Sequence, residues 1–377
     1  VNKPNNYFPQ LTGIRAIAAY MVFVYHYIAA YKPVLPTWLY AMLSELHIGV
    51  PVFFVLSGFL IAYRYMDKIE VSRKWMYQYF KNRIARIYPM YFLLTTFAFL
   101  YYHYHSQPQT TVPVYLLNIT FLRGFFNEYK FSGIGQGWSL TVEECFYAVA
   151  PIIFLLRVRI NIWVMAAFML CLALAMVVLF KDANFHQFFS PASFVFTYTY
   201  FGRCLEFFIG IQLAMIIKST AAMDKCGIKY TLTGAVGVVA CLYMFTFFIP
   251  SADLSLSKDM VKRLCINNVL CPIFISLLFY GLLTEASLFR RFLATPLMKL
   301  LGESSYIFYL IHVGFIYEIV RSFLPTFSAM VPLLFIILNI ISILLFKLIE
   351  HPVNGWIRAH FNGEKQATKL PSSAVVA

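Results

Sequence analysis

Arg15 and His26 stand eleven residues apart in LTGIRAIAAYMVFVYHYIAAY, an apolar stretch over residues 11–31. An α-helix turns ~100° and rises ~1.5 Å per residue, so this spacing brings both side chains to one face, ~16 Å apart along the axis. Ionisable groups within a membrane span are costly and mark a functional site by default. A guanidinium fork matches phosphate oxygens. An imidazole can take a proton or carry a covalent intermediate. The pair would suit a long, narrow, anionic ligand whose reactive end lies at the histidine.

Other polar residues sit in apolar surroundings. The stretch 64–91, RYMDKIEVSRKWMYQYFKNRIARIYPMY, is densely basic, and Arg83 and Arg86 stand three apart, neighbours on a helix. It reads equally as an inner loop touching anionic lipid and as a phosphate clamp. GWSLTVEECFYAVAP carries Glu143 and Glu144, which a helix turns ~100° apart, so that one can face the bundle. Glu143 is a carboxylate that could orient a histidine or take a proton, or simply pair with a buried cation. In GRCLEFFIG, Arg203 and Glu206 have i, i+3 spacing, and a self-neutralising salt bridge is the favoured reading. His312, in GESSYIFYLIH, is either an interhelical hydrogen-bond partner or part of a site. His47 reads as an interfacial polar residue. Ser57 and Gly58, in GVPVFFVLSGFLI, read first as a close helix contact and alternatively as a groove wall beside a ligand.

The elements that must position these groups follow from composition. Of 377 residues, 61% are hydrophobic and only 12% charged, against about 25% charged in soluble domains. Mean hydropathy is +0.72. The expected fold is an all-α polytopic membrane bundle of about ten helices. The spans fall at 11–31, 45–65, 84–104, 138–157, 160–180, 196–217, 228–249, 264–283, 298–320 and 329–349, each near the ~20 residues a bilayer requires. With the N-terminus inside, twenty of the 30 Lys and Arg fall in inner segments, eight in outer ones, and Arg15 and Arg203 within spans. The positive-inside rule then places both termini in the cytoplasm. The net charge of +14 is thereby topological, not a sign of nucleic-acid binding.

The first apolar segment reads as a span rather than a cleavable leader. The seven cysteines have no metal-site spacing and are expected to pack as small hydrophobes; no metal is expected. One transmembrane domain over 1–356 and a short polar cytoplasmic tail over 357–377 are expected, with Pro352 of EHP as a stop signal for the last span. Depth along the spans puts His26, His312, Glu143 and Arg203 in one outer layer and leaves Arg15 alone near the inner face.

Taken in order, LTGIRAIAAYMVFVYH, FFVLSGFLI, RIARIYP, WSLTVEECFY, GRCLEFFIG, SSYIFYLIH and the terminal EHP resemble the acyltransferase-3 family of integral-membrane acyltransferases. The resemblance covers most of the chain. It implies transfer of an acyl group, usually acetyl from acetyl-CoA, to a hydroxyl of a lipid-linked or surface glycan such as lipopolysaccharide O-antigen, in a bacterial inner membrane. It also implies roles: Arg15 and His26 match the family's essential pair, Arg83 and Arg86 its basic motif, and Glu143 its carboxylate. No SGNH-type hydrolase-like domain is seen. The expected mechanism holds the donor's phosphates and pantetheine entrance on Arg15, Arg83 and Arg86. His26 then acts as base or acyl carrier, and Glu143 orients it or manages its proton. His312, Arg203 and Glu206 are candidates for support. The alternative is a proton-coupled transporter using the same intramembrane groups, although no internal repeat is visible.

Overall fold

In a computed structural model the described residues are 7–182, 185–219, 227–248, 257–324 and 330–360. They form helices and connecting turns with no β-strand; Phe126 and Phe188 make one isolated bridge. The principal helices are α1 (Pro9–Tyr27), α2 (Gly49–Tyr65), α3 (Arg73–Tyr104), α4 (Trp138–Leu156), α5 (Ile162–Leu179), α6 (Tyr200–Ser219), α7 (Lys229–Phe245), α8 (Cys271–Thr284), α9 (Pro296–Ile311), α10 (Phe315–Ser322), α11 (Met330–Leu345) and α12 (His351–His360). Among the described residues eight helical stretches are long and apolar enough to cross a membrane. The bent pair α9–α10 makes a ninth, and α7 is apolar but shorter. The protein is a multi-pass helical membrane protein.

Three expected spans differ in shape. The third begins at Arg73, so Arg83 and Arg86 lie on a continuous helix that runs through Pro89 to Tyr104. At 32 residues it is longer than a ~30 Å core requires, so the basic motif rides on a rigid element instead of a loop. The ninth span is broken: α9 and α10 meet at 87°. Gly314 sits in the break with φ +97 and ψ −157, a region essentially restricted to glycine. Pro352 does not stop the last span; Met330–Ile357 is one helical stretch. A π-helical segment, Phe346–Glu350, precedes the proline. Its wider turn rearranges the ladder where proline has no N–H to give. α12 continues past residue 356 to His360, and the rest of the tail, 361–377, lies outside the described residues.

Packing follows small residues. The most extensive helix pairs are α2 with α6, α7 with α8, and α1 with α9. Where α2 crosses α6, a Cβ on Gly58 would collide with the Phe207 backbone and one on Gly210 with the backbone of Val55. Without a hydrophobic driving force between helices in lipid, such close backbone approach is what van der Waals association needs. α1 is further tied to α11 by Tyr20, whose hydroxyl donates to Asn339 Oδ1 at 2.5 Å. The described cysteines are all free thiols.

Candidate active site

A narrow cavity of about 760 Å³, counting its mouth, lies between α1, α2, α3, α4 and α9. Arg15, Arg83, Arg86 and Glu143 all line it. Arg15 is therefore not alone at its level; two further cations from α3 join it. Arg83 is 4% exposed. Its guanidinium donates to the Tyr65 hydroxyl at 3.4 Å and lies 5.6 and 5.7 Å from the Tyr65 and Tyr147 ring centres. Nε of Arg15 and Nε of Arg83 are buried with no hydrogen-bond partner among the described residues. Arg86 is the cation acting on the buried Glu350 carboxylate of the EHP string. Across the cavity, the Tyr306 hydroxyl on α9 donates to the Ile87 carbonyl on α3 at 2.8 Å.

Glu143 is not placed to orient His26. Its Oε1 accepts from the Ser57 hydroxyl of α2 and the Tyr147 hydroxyl one turn along α4. The carboxylate is thus fixed by its own helix and by α2, and Ser57 serves both the helix contact and the cavity wall. His26 stands in the last turn of α1, exposed. Its ring neighbour is His312, with His312 Nε2 3.3 Å from His26 Nδ1. His312 caps α9 at the break and is fully buried. The Tyr27 hydroxyl donates to its carbonyl. The cavity lining stops at Tyr309 and Ser139, whose hydroxyls are 2.9 Å apart; neither histidine is part of it. Tyr309 is one turn before His312, so this hydroxyl pair marks the part of the cavity lining nearest the histidines in the chain.

The expected outer layer is thus not one cluster. Arg203 and Glu206 are joined to each other by two hydrogen bonds, at 2.8 and 2.7 Å, both buried. The Arg203 guanidinium also lies against Phe54 and Trp138. They close on themselves, as their i, i+3 spacing favours, and do not line the cavity. His47 is 3.4 Å from Glu45, which is itself held by Arg263 at 2.6 Å. Among the described residues no group of His, Cys, Asp and Glu could hold a metal ion.

The Acyltransferase domain family matches residues 8–349, nearly the whole chain. This protein belongs to the acyltransferase-3 family. ORF330 of Acidianus two-tailed virus, a protein named as an acetyltransferase, is 32% identical over 152 residues, 39% of this chain and 41% of the relative. The O-acetyltransferase OatA of Staphylococcus aureus is 27% identical over 169 residues, 39% of this chain and 24% of OatA. The acyltransferase MdmB of Streptomyces mycarofaciens is 26% identical over 339 residues, 81% of this chain and 78% of MdmB. The chain thus spans less than half the length of the first two. No solved structure matches it significantly.

In this acyltransferase-3 chain several site groups escape a reading of the sequence. Arg123 counts there as an outer-loop charge, yet it is fully buried. Its guanidinium donates to the Ser132 carbonyl and, at 2.7 Å, to the Ile134 carbonyl. Burial lowers its proton affinity from the ordinary arginine value. A Cβ on Gly137 would strike this guanidinium, so a larger residue there would have to displace the clamp. The clamp folds residues 123–137 so that Gln136 donates to the Val313 carbonyl at 3.1 Å, beside His312. Only the glycine-rich string SGIGQGW hints at so tight a turn. Tyr309 and Ser139 carry no signal beyond lying in the family's strings.

Proposed function

We propose that this protein moves an acyl group, acetyl in the simplest case, from a cytoplasmic acyl-CoA to a hydroxyl of a lipid-linked or surface glycan, lipopolysaccharide O-antigen being one such acceptor. The observation that carries this reading is that Arg15, Arg83, Arg86 and Glu143, from three helices, line one cavity. Two of those cations hold buried N–H groups without hydrogen-bond partners among the described residues. In a protein interior an unpaired donor costs about 1–3 kcal/mol, and an anionic ligand would relieve it. Phosphate oxygens supply the acceptors that guanidinium forks match. The cavity's narrowness suits a pantetheine arm better than a folded solute.

In this reading the thioester reaches His26 when the Tyr309–Ser139 contact parts. The bare Nε2 of His26 takes the proton of the acceptor hydroxyl, and the oxygen attacks the thioester carbonyl. The C–O bond forms, the C–S bond breaks, and His26 returns the proton to the departing sulfur. The products are an ester and free CoA thiol. Glu143 shapes the cavity wall with Ser57 and Tyr147. The membrane of action is taken to be the bacterial inner membrane.

A transporter reading draws on the broken α9–α10 span, because broken helices build transport sites. Only one bent pair is found among the described residues, whereas inverted repeats would supply two. The test combines two measurements. Mass spectrometry of surface glycans from cells with the wild-type protein should show an added acyl group, absent with His26→Ala. General acid–base groups contribute ~10²–10⁴-fold, so the loss should be near complete. Acceptor-dependent release of CoA from acetyl-CoA should accompany it. Unmodified glycans with no CoA release in the wild type would overturn the proposal.

A further inference from the structure

We propose that His312 is a positioning residue for His26, a second acceptor for its Nδ1–H that supports the ring when Nε2 takes a proton. The inference rests on the acyl-transfer reading for its meaning, but its geometry stands apart from it. Each ring proton follows from its partners. His26 Nδ1 lies 2.8 Å from the Val22 carbonyl. A carbonyl oxygen only accepts, so Nδ1 carries the hydrogen, and a neutral ring then has a lone pair at Nε2. His312 Nδ1 lies 2.8 Å from the Tyr309 carbonyl, which by the same logic places its hydrogen there. Nε2 of His312 is therefore an acceptor, and it lies 3.3 Å from the His26 Nδ1–H. That hydrogen is shared between the Val22 carbonyl and the second imidazole.

The neighbours hold the second ring in this state. The Gln136 amide nitrogen lies 3.5 Å from His312 Nδ1 but donates to the Val313 carbonyl at 3.1 Å. The Phe308 ring lies stacked on the His312 ring at 6.0 Å with an interplanar angle of 5°. The Tyr27 hydroxyl pins the His312 backbone at the 87° break. When His26 Nε2 gains the hydroxyl proton, the positive charge spreads to Nδ1–H, where His312 Nε2 accepts it. A neutral imidazole thus occupies the place where a carboxylate supports the histidine of a hydrolase triad. A neutral partner avoids burying a further charge in the outer half of the membrane.

Two polar replacements separate this role from space filling. His312→Gln places an amide oxygen near the former Nε2. His312→Asn places its amide near the former Nδ1, keeping a donor for the Tyr309 carbonyl but no acceptor for His26. CoA released from acetyl-CoA would be followed in proteoliposomes supplied with membrane glycolipid extract, together with ¹⁵N spectra of histidine-labelled protein. The expected result is that Gln stays within about fivefold of wild-type kcat while Asn falls at least tenfold below Gln, both with unchanged KM for acetyl-CoA. In the spectra, all three keep His26 protonated at Nδ1, and Asn shows the Nδ1–H resonance shifted from its position in wild type and Gln because the second acceptor is gone. Equal kcat in the two variants, Asn the better of the two, or an unshifted His26 Nδ1–H resonance in Asn would overturn the proposal. Wild-type protein that releases no CoA yet shows the Asn-sensitive Nδ1–H resonance would instead count against the acyl-transfer reading alone.

Discussion

Arg203 and Arg83 are both arginines buried in the bundle, 2% and 4% exposed, yet their surroundings differ in kind. Arg203 meets a carboxylate on its own helix with two hydrogen bonds, and Phe54 and Trp138 cover it. Its charge is answered within one turn of α6. Arg83 faces a cavity shared by five helices, donates to a phenolic hydroxyl, and keeps a buried Nε–H without a hydrogen-bond partner among the described residues. Arg15, half-buried on another helix, likewise has an Nε–H without a hydrogen-bond partner among the described residues. The difference separates structure from function. A cation needed only for packing can be answered within the chain; under the proposed function, the open N–H groups around the hollow are where the donor's anionic groups would bind.

The sharpest way to break this contrast is to strand one member of the closed pair. Glu206→Leu should leave an uncompensated cation in an apolar bundle and destabilise the protein by about 3–5 kcal/mol. The double variant Arg203→Met with Glu206→Leu should recover most of that loss, since apolar replacement of a whole buried pair is often neutral. Thermal unfolding in detergent measures both. If the double variant instead folds well and loses transfer activity, the pair belongs to the site and the contrast fails.

The open set should respond differently. Arg83→Gln and Arg15→Gln each remove one charge-assisted contact, worth about 1.5–3 kcal/mol. Donor affinity should fall roughly ten- to a hundredfold. Stability of the unliganded protein should hold or rise slightly, because a desolvated charge is gone. Thermal shifts with and without acetyl-CoA separate the two effects: the variants should lose the ligand-induced rise while keeping the basal midpoint. A lowered basal midpoint with intact ligand response would make Arg83 structural, like Arg203.

The two regions were also unequally legible in the sequence. The Arg203–Glu206 pair is local, and i, i+3 spacing on one helix fixes the contact. Arg15, Arg83, Arg86 and Glu143 could be named as candidates because ionisable residues are rare in apolar helices. Their convergence on one cavity is a matter of helix packing, which depth along a span does not report. Depth placed His26 and His312 at one level correctly and placed Glu143 there too, but only the two histidines meet. The expectation that Glu143 orients His26 is not met by its hydrogen bonds, which run to Ser57 and Tyr147 instead. The break at Gly314 was hidden because an apolar run of 23 residues reads as one straight span. Arg123 was hidden for the opposite reason: a lone cation between spans looks solvated until the loop folds over it.

A smaller effect tests how the open region connects to its histidines. Ser139 Oγ lies 2.9 Å from the Tyr309 hydroxyl, at the end of the cavity nearest His312. If the donor arm must part these two groups to reach His26, their hydrogen bond opposes the reactive arrangement. Ser139→Ala removes it, along with the Ser139 hydroxyl's bond to the Gln136 carbonyl at 3.0 Å. A neutral hydrogen bond contributes about 1 kcal/mol, which corresponds to roughly fivefold in rate. Stability should drop by about that much, and kcat should rise by up to that factor with KM for acetyl-CoA little changed. A tenfold fall in kcat would show instead that the serine hydroxyl takes part in the reacting arrangement. The hydroxyl pair would then be the inner edge of the active site and not a closure in front of it.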